Sequence, residues 1–144
     1  MSKKILIGID PDVEKSGVAF KAGKLIELAN LTFFQLFDYL KFVKENQTDE
    51  KVIIYVECGF LNASNWHKKI NQSASINAKI GERTGANFEV AKKICEMCEY
   101  LGIECVKVKP TRSKVNADFF KQITKIETRT NQEQRDAYML IHGR

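Results

Sequence analysis

The chain reads as an α/β protein built on a five-stranded mixed sheet, three antiparallel strands followed by two parallel ones, flanked by helices. Three observations point there. Two apolar runs, Lys3 to Asp10 and Lys51 to Val56, are rich in Ile and Val and alternate little, so they read as central strands buried on both faces. The first run leads into turn chemistry at Asp10-Pro11-Asp12-Val13-Glu14-Lys15-Ser16-Gly17 and again at Ala22-Gly23. These turns delimit short strands over 18–21 and 24–32 and give an antiparallel set of three. Elsewhere, apolar residues recur at helical spacing.

The remaining elements follow in order. Phe33, Leu36, Phe37, Leu40 and Val43 form one amphipathic helix, and Glu57 closes the second central strand. The polar stretch 62–75 carries Trp66 beside His67, Lys68 and Lys69. A long helix is expected from about Ile76 to Leu101, with Gly81 and Gly85 near its start and Gly102 as its stop. It has two apolar stripes, Phe88/Ala91/Cys95/Cys98 and Val90/Ile94/Met97/Leu101. One stripe can pack on the sheet while the broad apolar surface leaves room for a partner helix. Residues 103–108 read as a third buried strand ending at Pro110, and helices are expected over 113–125 and 131–142. No repeat, low-complexity segment or linker interrupts residues 1–144, which are expected to form one domain. This order of strands and helices is that of the ribonuclease H-like fold.

Composition narrows the class. A length of 144 residues suffices for a real core. No stretch approaches the roughly 20 apolar residues of a membrane span. The start has charge before an apolar run, as a signal peptide does, but the run is too short and ends in Asp-Pro. A cytoplasmic protein without a membrane role is expected. Cys95 and Cys98 make a C-x2-C, yet they lie within a helical pattern and no second pair follows. They read as small apolar residues rather than a zinc site. The net charge of +5 is uneven: residues 1–64 hold 8 basic and 9 acidic side chains, residues 65–144 hold 15 and 9. Lys107, Lys109, Arg112 and Lys114 fall close together. A basic face suits a polyanion, although a solvated loop explains it equally.

Three islands carry the chemistry: Ile7-Gly8-Ile9-Asp10-Pro11, Ile53-Ile54-Tyr55-Val56-Glu57 and Glu133-Gln134-Arg135-Asp136-Ala137. Each sets a carboxylate at the end of an apolar strand or on a helix that reads as packed. A buried Asp or Glu is costly unless it is paired or holds a metal. Three such acids spread over the chain point to a cluster around divalent cations, the layout of a metal-dependent nuclease. Plainer readings stand beside this one. Asp10-Pro11 could open a turn, Glu57 could be a strand-end charge in water, and Glu133 and Asp136 could favour a helix start. None of these readings predicts all three islands together.

These islands, in this order, resemble the RuvC-type Holliday-junction resolvases of the ribonuclease H-like superfamily. Ile7 to Pro11 with Gly17 resembles their first-strand motif, and Glu57-Cys58-Gly59-Phe60 their second acidic motif with its aromatic three residues on. Residues 77–85 resemble the glycine-marked start of their long helix, Lys114 their basic residue after the last strand, and Glu133 to Ala137 their terminal acidic pair. Asp12 departs from a usual glycine, Glu133 from Asp or His, and the chain is shorter than typical members.

The resemblance implies an endodeoxyribonuclease that cuts four-way DNA junctions as a homodimer, with the long helix 76–101 as the candidate dimer surface. Its catalytic set would be Asp10, Glu57, Glu133, Asp136 and Lys114. The four acids would hold two Mg²⁺, for which Mn²⁺ can substitute, since hard oxygen donors suit these ions. Two such ions about 3.5–4 Å apart can activate water and stabilise the leaving oxygen. Phe60, Lys68, Lys69, Arg83, Lys107, Lys109, Arg112 and Lys114 are the candidate nucleic-acid contacts. Action on RNA or other branched DNA, and a non-catalytic junction binder, remain alternatives. The actin and sugar-kinase fold also opens with a strand ending in Gly-x-Asp, but it needs two such halves. Asp12 and Glu14 read as solvated turn residues, Trp66 as a nucleic-acid contact beside Lys68 and Lys69 or, more commonly for such a Trp, an anchor for its own loop, and His67 and His142 receive no role.

Overall fold

In a computed structural model, which describes residues 3–62, 74–111 and 114–144, five strands form one sheet in the order β3-β2-β1-β4-β5. The strands are β1 (Lys4–Asp10), β2 (Ser16–Ala22), β3 (Leu25–Leu31), β4 (Lys51–Glu57) and β5 (Glu104–Val108). β1 pairs antiparallel with β2 and parallel with β4, β2 pairs antiparallel with β3, and β4 pairs parallel with β5. Three antiparallel strands followed by two parallel ones is the ribonuclease H-like arrangement expected from the sequence.

Helices α1 (Phe33–Glu45), α2 (Ala74–Leu101), α3 (Ala117–Thr124) and α4 (Gln132–Met139) cover the two faces. Side chains alternate across a strand, so each central strand feeds two cores. Ile7 and Ile9 of β1 with Ile54 and Val56 of β4 join Leu36 and Leu40 of α1 and Ile94 and Cys98 of α2. On the opposite face Leu6, Ala19 and Ile53 join Phe120 of α3 and Ala137, Tyr138 and Ile141 at the carboxyl-terminal end. A fully buried Ile or Leu contributes roughly 1.5–3 kcal/mol. Burial on both faces explains why the β1 and β4 runs are unbroken in apolar residues.

Several boundaries differ from the sequence reading, each for a local reason. α3 starts at Ala117 rather than near 113, because the Asn116 side chain accepts the Phe119 N–H at 2.8 Å and caps the helix. α4 starts at Gln132, with Asn131 as its cap in a capping box with Gln134. β5 corrects a larger expectation. It lies at the edge of the sheet, with Glu104, Val106 and Lys107 exposed, and is not a buried strand. α2 packs on the sheet mainly from Thr84 onward, while most of its first turns, including Ile80, Gly81 and Gly85, are exposed. Among the described residues no helix is long and apolar enough to cross a membrane.

Candidate active site

Two glycines decide where the terminal helix sits. A Cβ on Gly8 of β1 would collide with the Ala137 carbonyl oxygen, and one on Gly17 of β2 with the Glu133 carbonyl oxygen. The α4 backbone therefore lies directly on the sheet, an approach open only to residues without a Cβ. This contact brings Asp136 and Glu133 to the carboxyl end of β1.

Strand alternation brings the other two acids to the same place. Ile9 pairs with Val56, and Asp10 and Glu57 each follow one residue later on neighbouring parallel strands. Both share the parity of Gly8 and Tyr55, the face that α4 covers.

The charges of Asp10, Glu57 and Asp136 are felt by one another, while Glu133 is exposed and acts more weakly, on Asp10. Asp10 is pushed up to about 8, first by burial, then by the charges of Glu57 and Asp136, with Lys114 opposing and Glu133 adding a smaller push. Burial also raises Glu57, against the pull of Lys114 and with a further push from Asp136. Lys114 Nζ donates to Asp136 Oδ2 at 2.8 Å, and Gln132 Nε2 donates to Asp136 Oδ1 at 2.8 Å. Burial alone would lower the Lys114 ammonium, but the Asp136 bond and the charges of Asp136, Glu57 and Asp10 outweigh it and raise it.

A pH dependence follows from Asp10. In the metal-free chain its folded form binds a proton up to about pH 8, whereas the unfolded form releases it near 3.8. The folded state thus binds more protons between these values, so this group makes stability fall as pH rises from about 4 to 8. Thermal melting across that range, with and without Asp10→Asn, is expected to show a decline in the parent chain that the variant lacks.

The donor set is chemically suited to a hard divalent cation: four carboxylates, with Asp10 kept protonated by burial and by the charges of its acidic neighbours. Their side chains are not set as ligands of one ion. Among the described residues no three His, Cys, Asp or Glu side chains form such a group. Each Asp136 oxygen accepts one hydrogen bond, from Lys114 or from Gln132, and keeps a second lone pair free for a cation. Beside Asp10 and Glu57 opens a cleft of about 170 Å³, walled by Thr84, Asn87 and Phe88 of α2.

Other predicted residues are placed less centrally. Phe60, in a short 3-10 turn (Gly59–Leu61), is half-buried against the α2 side of the core, with Lys92 Nζ 5.5 Å from its ring centroid. Arg83 donates to Asp12 Oδ1 at 3.2 Å. Asp12 is accordingly not a solvated turn residue: its side chain is 17% exposed and also accepts the Glu14 N–H. Lys107 and Lys109 are exposed. Lys68, Lys69 and Arg112, with Trp66 and His67, lie outside the described residues. The sequence reading missed Gln132, although its place one helical turn before Asp136 was a usable signal. It also missed the α2 wall, where Phe88 fills the space that a Cβ on Gly59 would need.

No family model matches the sequence, and no curated protein is significantly similar to it. Among solved structures the chain is similar to T. thermophilus RuvC in complex with Holliday junction substrate, at 14% identity, covering 95% of this chain and 89% of that one, with a TM-score of 0.46.

Proposed function

We propose that this protein is a divalent-metal-dependent, structure-specific endonuclease that cuts four-way DNA junctions as a homodimer. The observation that carries the reading is the meeting of Asp10, Glu57, Asp136 and Glu133 at one end of a ribonuclease H-like sheet. Their sequence motifs, in order, support it. Asp10, Glu57, Glu133 and Asp136 are the residues that would hold Mg²⁺ or Mn²⁺, which when bound supplies water activation and charge neutralisation at phosphorus.

The chain's own groups do the rest. Asp10 gives up the proton that burial and its neighbours hold on it, so the site takes a cation better as pH rises toward 8. Gln132 fixes the orientation of Asp136. Lys114, whose side chain is 52% exposed, stands at the rim where its ammonium can donate to a phosphate oxygen. Lys107 and Lys109 are exposed, and their positive charge suits a polyanionic substrate. In the dimer, the open first turns of α2 supply the contact: Gly81 and Gly85 have free space where a Cβ would stand, so a second helix can come close.

The test is a panel of labelled four-way junction, flap, RNA–DNA hybrid and RNA hairpin, each incubated with and without Mg²⁺. Paired nicks in the junction, only with metal, are expected. Preferred cutting of hybrid or hairpin moves the activity to RNA, and junction binding without any cutting makes the protein a scaffold. Lys114→Ala is expected to slow cutting by roughly 10²-fold while leaving junction affinity within a few-fold, measured in single turnover.

A further inference from the structure

Four cysteines that are scattered along the chain meet where β4, α2 and β5 come together. All are free thiols; Cys58 and Cys98 are buried, and Cys95 and Cys105 are half-buried. The Cys58 and Cys95 sulfurs lie 3.9 Å apart. An open cleft of about 400 Å³ is lined by Cys95 and Cys105, with Lys92 and Lys107 among its walls. Cys95 therefore touches a fully buried thiol on one side and is reachable by a small solute on the other. Hydrogen bonding with Cys105 and with Cys58, aided by the Lys107 charge, holds the Cys95 thiol below its ordinary range. Its neighbour Cys105 is held above its own.

We propose that Cys95 is a peroxide-reactive thiol and Cys58 its resolving partner, so that oxidation closes a disulfide between α2 and the end of β4. The Cys95 thiolate attacks one oxygen of hydrogen peroxide, the O–O bond breaks, and the departing hydroxide takes up a proton as water. Cys95 is left as a sulfenic acid. The Cys58 sulfur, losing its proton as it attacks, displaces that hydroxyl, which leaves as a second water. In sum, two thiols lose two electrons and two protons, and one peroxide becomes two waters. The sulfurs must close to about 2.05 Å, which draws α2 toward the residue that follows Glu57. A slower-cutting oxidised form is the consequence for the acidic site, and that part rests on the endonuclease reading.

The purified full chain, treated with hydrogen peroxide, denatured and alkylated, tests the bond itself. Alkylatable thiols are expected to fall from four to two, with a Cys58–Cys95 cross-linked peptide in the map and full reversal by dithiothreitol. Cys95→Ser is expected to abolish the cross-link and Cys98→Ala to keep it. Four reactive thiols after peroxide, a map pairing Cys95 with Cys105 or Cys98, or a link between two chains would each overturn the proposal. Cleavage assayed on the same samples keeps the two readings apart. If neither form cuts any substrate the endonuclease reading fails, while the peptide map still decides the disulfide.

Discussion

Asp10→Asn is expected to lower Mg²⁺-dependent junction cleavage by roughly 10³-fold or more while junction binding stays within a few-fold. The amide keeps the size of the carboxyl group but cannot carry the charge that a cation needs. A second readout separates this from damage to the fold. Asp10 in the metal-free chain is protonated to about pH 8 because its charge is buried among other acids. Above that pH the parent must ionise it at a cost, whereas the variant has nothing to ionise. The variant is therefore expected to be the more stable of the two in the metal-free state above pH 8, by thermal melting. Loss of cutting together with loss of stability at that pH would make Asp10 a structural residue.

Gly8→Ala is expected to cost about 3 kcal/mol or more, read as a lower midpoint in urea denaturation. The added methyl group would overlap the Ala137 carbonyl, which belongs to the α4 backbone and not to a side chain that can rotate away. The helix must lift, and Asp136 lifts with it. Cutting is thus expected to fall in protein that remains folded at low temperature. Gly23→Ala is the useful control for backbone effects, since Gly23 has open space around it but a positive φ of 61°. It is expected to destabilise modestly, through left-handed backbone strain alone, and to leave cutting intact.

Asp10 and Glu57 were readable because each ends an Ile- and Val-rich run, and alternation then fixes the face they share. Gly8 and Gly17 were readable as part of a motif, but their purpose was not. It lies in the path of a helix more than a hundred residues away. Gln132 looked like any polar residue in a helix start, and only the turn of α4 onto the sheet shows that it holds Asp136. β5 was misread because Cys105, Val106 and Val108 resemble the residues of a central strand. Whether a strand is central depends on how many strands follow it in space, a fact absent from its own residues. The thiol cluster was illegible for a similar reason, since helical periodicity explains Cys95 and Cys98 and is silent about Cys58 and Cys105.

The position of β5 has a bearing on solubility. A strand with one unpaired side offers backbone donors and acceptors to any passing chain, and charge on such a strand discourages that pairing. β5 is short, 5 residues, and carries Glu104 and Lys107, with Glu104 tied to Lys51 at 3.8 Å. Lys107 thereby guards against aggregation, whatever its part in the proposed contact with a polyanion. Replacing it with an apolar residue to probe nucleic-acid affinity invites precipitation, whereas Lys107→Glu keeps the guard and reverses the attraction.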